Sequence, residues 1–276
     1  MNDPAALAAF EEHRLALSLV EVADRAVVLE TDEGGGSICS GRPGDWINTA
    51  AGLGMWGRVP PSAIDRVIEF HESAGADARI EACPYADPSL LEVAASRGFV
   101  LRDYENVLAR PLAAADRFER AGIDGVTVVE IARDDMAALE EVAGAITAGF
   151  CDDGAPTASA IELTARCARH PRAGAFAAVA AGRVVGAGLY ECSEIGGRKS
   201  ATLFSLSVAA AYRGRGIQAA LIAARLQKAA ELGCTIATIS SRPGVATERN
   251  ARRAGFTLMY TRAVLARPRE GLPPVR

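Results

Sequence analysis

Apolar positions along the chain alternate between a helical period and a two-residue period, and each switch marks an element. In residues 1–23, "MNDPAALAAFEEHRLALSLVEVA", they recur at helical spacing without a long uninterrupted run, which predicts an amphipathic helix. "SAIDRVIEFHESAG" (62–75) and "AALIAARLQKAAELG" (219–233) carry the same signature, and each stops at a glycine. A short β-prone run follows each of them, "ARIEACPY" and "CTIATISS", and then a second helix, "PSLLEVAASRGF" and "VATERNARRAGF", leading into a strand. Between these blocks "VTVVEI" predicts a strand, "DDMAALEEVAGAI" a helix with Asp134 placed to cap it, and "ASAIELTARCA" another helix. "AFAAVAAGRVVGAGLY" predicts a hairpin turning at Ala181-Gly182. In "ATLFSLSV", alternation puts Phe204, Leu206 and Val208 on one face and Ser205 and Ser207 on the other.

The order of these elements repeats. Residues 98–111 read "GFVLRDYENVLARP" and residues 255–268 read "GFTLMYTRAVLARP", so that Gly-Phe and "VLARP" both recur 157 residues apart. A period of that length is far too long for a solenoid and predicts two domain-sized copies. The joint is expected in "LAAADRFERAGIDG" (112–125), giving one domain over 1–115 and a second over 120–276.

Composition narrows the function classes. Half the residues are apolar, which fits a globular chain, and the net charge of -4 speaks against a general nucleic-acid binder. The start of the chain is acidic where a signal peptide needs basic residues, and no segment is long and apolar enough to span a membrane, so a cytoplasmic protein is expected. Six scattered cysteines without a C-x-x-C pair read as reduced, mostly buried thiols, and three distant histidines predict no His-based metal site. The oligomeric state is left open.

Two stretches fit the dinucleotide pattern G-x-G-x-x-G. In "GLGMWGRVPP" (52–61) the match is literal, through Gly52, Gly54 and Gly57, but Pro60 and Pro61 stand where a helix should offer N–H donors. "YRGRGIQAAL" (212–221) follows a strand ending at Val208 and opens a helix. Gly214 and Gly216 allow the tight turn there, and Arg213 and Arg215 add positive charge beside unpaired amides, so this loop is the candidate anion site. A P-loop is excluded because G-x-x-x-x-G-K-S/T is absent, and a Rossmann fold because too little chain remains and a hairpin precedes the loop.

At these residues the chain resembles the GNAT superfamily of N-acetyltransferases, whose acetyl-CoA loop reads Gln/Arg-x-x-Gly-x-Gly/Ala. Arg213, Gly214, Arg215, Gly216 and Ile217 agree, and Gln218 stands where Gly or Ala is usual. The resemblance covers 125–265 well and 56–110 as a worn copy. It implies an α/β (α+β) fold of two tandem GNAT-like domains, each a mixed, mostly antiparallel sheet flanked by helices, the first without a functional CoA loop. It also implies a V-shaped split holding acetyl-CoA, with the main chain of Leu206, Ser207 and Val208 along the pantetheine arm. The loop Arg213–Ala219 would lie at the pyrophosphate, and Asn250 would reach the arm. The activity implied is acetyl transfer to an amine of a small molecule or peptide by direct attack.

The chain departs from the family at two points. Ala251 stands four residues before Gly255, where many members carry a tyrosine acid, and the strand "TLFSLSV" lacks the usual glutamate base. Tyr260 and Glu191 are the candidates to fill those roles. Arg242, Arg249, Arg252 and Arg253 form a solvated basic face or supply partners for the 3′-phosphate of CoA. Two alternatives are a non-catalytic CoA-binding regulator, which fits the missing tyrosine and glutamate, and an NADP-dependent oxidoreductase, which fits the bare glycine pattern.

Overall fold

The computed structural model describes residues 3–118, 122–151 and 155–269. The chain divides into two compact units, one of Met1–Asn106 with Met259–Arg276 and one of Val107–Leu258. They are called unit 1 and unit 2.

Unit 1 begins with α1 (Pro4–Val22), whose first turn is capped by the Asp3 carboxylate accepting from the Ala5 amide. β1 (Arg25–Val28), β2 (Ser37–Ser40) and β3 (Thr49–Ala51) follow as an antiparallel series. α2 (Pro61–Ser73) then crosses over to β4 (Ala78–Ala82), which lies parallel to β3. α3 (Ser89–Ser96) leads into β5 (Val100–Pro111), which begins in unit 1 and ends in unit 2. Ile38, Ile64, Val67, Ile80 and Leu90 form the centre of the unit's core and are fully buried.

Unit 2 repeats this plan with longer strands. β6 (Thr127–Ile131), β7 (Ala173–Ala180), β8 (Arg183–Ile195) and β9 (Arg198–Val208) are antiparallel neighbours, with α4 (Met136–Gly149) and α5 (Ala158–Arg169) between β6 and β7. α6 (Ile217–Glu231) crosses over to β10 (Ile236–Ser241), parallel to β9, and α7 (Ala246–Arg253) leads to β11 (Thr257–Arg267). The core collects Leu203 and Leu206 from β9, Ile217, Leu221 and Leu226 from α6, and Ile239 from β10. Each unit thus holds a mixed sheet with an antiparallel series and a parallel crossover, as the resemblance implied.

The partition of the chain differs from a simple cut at 112–125, of which residues 119–121 lie outside the described residues. The last strand belongs to unit 1: β11 pairs antiparallel with β4, Ala263 opposite Ala82 and Arg267 opposite Ala78. The strand order is β1-β2-β3-β4-β11-β5 in unit 1 and β5-β10-β9-β8-β7-β6 in unit 2. Each copy therefore lends its "VLARP" strand to the other's sheet. The common motif makes such an exchange feasible, since both strands offer the same apolar pair, Val107-Leu108 and Val264-Leu265.

Two local expectations need correction. Asp135, not Asp134, caps α4, accepting from the Ala138 amide. In β9 the alternation slips at a bulge, where Ala187 faces Ser207 but Leu189 faces Phe204, and Ser205 holds φ of 48°. Leu203 and Leu206, three residues apart, consequently join the same core cluster.

Candidate active site

β9 and β10 pair from Ser200 opposite Ile236 to Leu203 opposite Ile239, and no further. β9 continues to Val208 along β8, so among the described residues its other edge has no strand partner from Phe204 onward. The Ala209 amide donates to Val185 on β8 at 2.9 Å. Main-chain groups alternate in direction along an antiparallel strand, so those of Ser207 also face β8 while those of Leu206 and Val208 face the split. The Val208 carbonyl accepts from Arg213 Nε at 3.1 Å, which fastens the following loop to the strand. Ser207 is turned to α4, its hydroxyl donating to the Ala145 carbonyl at 3.0 Å. Gly149 makes room for it, since a Cβ there would lie 2.4 Å from the Ser207 Cβ.

The chain leaves β9 through a short 3-10 turn and bends at Gly214 (φ 77°) and Gly216 (φ 84°), both in the left-handed region. Gly216 is the N-cap of α6, and no side chain caps that end. Among the described residues, none of the backbone N–H groups from Gly214 to Ala219 donates to the protein. Six successive donors at one helix N-terminus, in a mostly exposed loop, form an anion cradle.

The side chains around the cradle are more engaged than their sequence suggests. Arg215 donates to the Asp124 carbonyl at 2.8 Å and lies over the Tyr212 ring. Gln218 donates to Thr247 at 3.0 Å and accepts from Asn250, whose own carbonyl oxygen accepts from Arg253 at 3.1 Å. Asn250 therefore holds Gln218, which ties α7 to the first turn of α6. Arg252 pairs with Glu248 at 2.8 Å, and Arg249 donates to the Gly244 carbonyl.

The proposed acid and base stand elsewhere. Glu191 on β8 lies opposite Thr202, at a level where β9 and β10 are still paired. It pairs with Arg172 at 2.8 Å and accepts from Ser193. Tyr260 belongs to unit 1, where its buried hydroxyl donates to Glu12 at 2.5 Å. Burial and the Glu12 carboxylate raise the Tyr260 pKa well above the usual phenol range. Its proton is committed to Glu12. Arg262, fully buried beside it, binds Glu12 at 2.9 Å, Glu81 at 3.1 Å and Glu105 at 2.7 Å.

The corresponding turn of unit 1 follows β3 and is tied differently. Gly54 donates to the Gly34 carbonyl at 2.8 Å, and the Val59 amide donates to Ser89 Oγ at 2.8 Å. Pro60 is the N-cap of α2 and Pro61 its first residue, so neither offers a donor. The turn is anchored from the other side by the Asp87 amide, which donates to the Gly54 carbonyl.

Residues 145–256, the segment that holds the split and the cradle, match the acetyltransferase (GNAT) family. Unit 2 carries a GNAT acetyltransferase domain. A GCN5-related N-acetyltransferase from Kribbella flavida is similar over 97% of this chain and 96% of its own, with a TM-score of 0.67 and 21% identity. A tandem GNAT protein from the clavulanic acid biosynthesis pathway is similar over 86% and 78%, with a TM-score of 0.57 and 16% identity. No curated protein matches the sequence. The GNAT assignment and the mixed sheets set aside the oxidoreductase alternative, which needs a parallel doubly wound sheet. No described helix is long and apolar enough to cross a membrane.

The sequence gives no local sign of the bulge at Ser205 or of the fully buried Arg225 next to it. The signal for Arg225 lies elsewhere in the chain, in "GAGL" (186–189): a Cβ on Gly188 would lie 2.9 Å from Arg225 Cζ and push the guanidinium from its place.

Proposed function

We propose that unit 2 binds acetyl-CoA and transfers its acetyl group to a primary amine of a small molecule or peptide. The observation that carries this reading is the run of unpartnered amides from Gly214 to Ala219, set beside a strand edge that opens at Phe204. The amides would hold the pyrophosphate, and the outward main-chain groups of Leu206 together with the Val208 amide would pair with the pantetheine arm. Gln218, fixed by Asn250 and Thr247, keeps the first turn of α6 in place.

In the transfer, the amine nitrogen attacks the thioester carbon, the C–N bond forms, and the C–S bond breaks. The CoA thiolate leaves and takes up the proton that the amine loses. An amine of pKa ~10 is charged at neutral pH, so attack starts from its small neutral fraction. A strand N–H aimed into the split would stabilise the oxyanion. A thiolate of pKa ~8.5 leaves without a strong acid. This fits the engagement of Glu191 and Tyr260 in other bonds.

That same engagement favours a second reading, in which the domain binds CoA without turnover. The two readings separate in one experiment. The full chain is heated with acetyl-CoA and with NADPH, and free thiol is followed across a panel of amines. Stabilisation by acetyl-CoA alone, with thiol release that depends on one class of amine, supports the transferase. Stabilisation without thiol release supports the binding protein, and no stabilisation by acetyl-CoA refutes both.

A further inference from the structure

The two arginines Arg225 and Arg262 are the largest fully buried side chains of the described residues, and they are treated in opposite ways. Arg262 faces three carboxylates in unit 1. Arg225, on α6 of unit 2, has no carboxylate within ion-pair reach among the described residues. Its partners are main-chain carbonyls: Nε donates to Leu221 at 3.0 Å, and Nη1 donates to Leu189 at 2.9 Å and to Phe204 at 3.3 Å. Nη2 has no partner. Burial lowers its pKa to about 9, which leaves it charged at neutral pH. A buried, uncompensated cation is expensive to keep, and a chain has no reason to hold one for stability alone.

Its location points to the reason. Leu189 and Phe204 face each other across β8 and β9 at the edge of the bulge, and one guanidinium nitrogen takes both carbonyls. Gly188 supplies the space, since a Cβ there would lie 3.0 Å from Nη1 and 3.1 Å from Leu206 Cδ1. Immediately after Phe204, Ser205 adopts φ of 48° and β9 parts from β10.

We propose that Arg225 is a positioning residue for acetyl transfer: it locks the β9 bulge, aims the main-chain donors after Phe204 into the split, and supplies positive potential where the oxyanion develops. The inference rests on the acetyltransferase reading above. Misplacing a reacting group by an ångström can cost about 10²-fold in rate. Loss of the lock is therefore expected to lower kcat by about 10- to 100-fold. The CoA-binding loop lies beyond the bulge and keeps its own contacts, so the Kd for CoA is expected to change less.

The test uses the full chain and three variants, Arg225→Met, Arg225→Lys and Gly188→Ala. Methionine fills the volume without the charge, lysine keeps the charge without the fork, and Gly188→Ala displaces the guanidinium without altering it. Kd for CoA is measured by calorimetry, and kcat and amine KM by thiol release. The expected result is a fall in kcat for Arg225→Met and Gly188→Ala with Kd and KM within about threefold, and partial rescue by Arg225→Lys. Wild-type kcat in Arg225→Met overturns the inference. A loss of CoA affinity that runs parallel to kcat in both Arg225→Met and Gly188→Ala also overturns it, because that pattern marks a structural prop. A wild-type chain that neither binds CoA nor releases thiol refutes the transferase reading itself, and the inference falls with it. An active wild type with unaffected variants refutes the inference alone.

Discussion

Ala219→Pro is the substitution that isolates the cradle. Ala219 is the third residue of α6, is exposed, and its amide donates to nothing in the protein. Proline is tolerated in the first helical turn, where the missing N–H has no intrahelical partner and the ring has no preceding helical carbonyl to clash with. The variant therefore removes one anion donor while leaving the helix intact. A hydrogen bond to a charged group contributes about 1.5–3 kcal/mol, so losing one weakens CoA binding by about 10- to 150-fold. Ala219→Gly keeps the donor and serves as the control. Kd is read by calorimetry on the full chain, with circular dichroism confirming that helix content is unchanged. If Ala219→Pro binds CoA within twofold of the wild type, the amide cradle is not what holds the pyrophosphate. The mirror experiment is Pro60→Ala with Pro61→Ala in unit 1. It is expected to create no CoA site, because the Gly54 and Val59 amides remain engaged.

Three further predictions follow from other parts of the chain. Tyr260→Phe removes the hydroxyl bond to Glu12 and is expected to cost about 1.5–3 kcal/mol of stability while changing kcat less than threefold; loss of a true general acid would lower kcat by about 10²–10⁴. Burial holds the Glu12 carboxyl above the ordinary range, so its protonated form adds stability that is complete below the unfolded value of about 4.3 and is lost as pH rises through the folded value. The stability of the wild type relative to Glu12→Gln, read from urea midpoints, should accordingly rise as pH falls from neutral towards about 4.3, and a gap that narrows would contradict the assignment. The comparison with the variant cancels buried His71, whose lowered pKa acts in the opposite sense. At the β7–β8 hairpin, exposed Ala181 holds φ of 48° before Gly182 at 76°, a turn that prefers Asn-Gly, so Ala181→Asn is expected to stabilise by about 0.5–1 kcal/mol in denaturant unfolding.

What the sequence made legible was whatever depends on local periodicity and on glycine. The strand–turn–helix at 212–219 was legible because strand alternation, two glycines and an apolar helix follow one another, and the proline start of the helix after 52–59 because Pro60 and Pro61 stand there. The tandem plan was legible from the recurrence of "VLARP", yet that same recurrence concealed the exchange of β5 and β11. Two strands of the same pattern give no local sign of which sheet each joins. The bulge escaped notice because a serine, not a glycine, takes the positive φ at 205. Arg225 reads as a surface arginine on an Ala/Leu-rich helix until Gly188 is placed beneath it. Tyr260 and Glu191 are of the chemical types that serve as acid and base. Tyr260, however, is bonded to Glu12 from the far end of the chain, and Glu191 to Arg172 on the neighbouring strand's approach and to Ser193, contacts that residue type alone does not reveal.

On the proposed reading, the main-chain amides of residues 214–219 grip the pyrophosphate of CoA. Hydrogen exchange, resolved to single amides and recorded with and without saturating CoA, reports on those amides one by one. Exchange is expected to slow at Gly214–Ala219 and along the β9 edge at Leu206 and Val208, with no change at residues 52–59. Protection at 52–59, or none at 214–219 when CoA is bound, would contradict it.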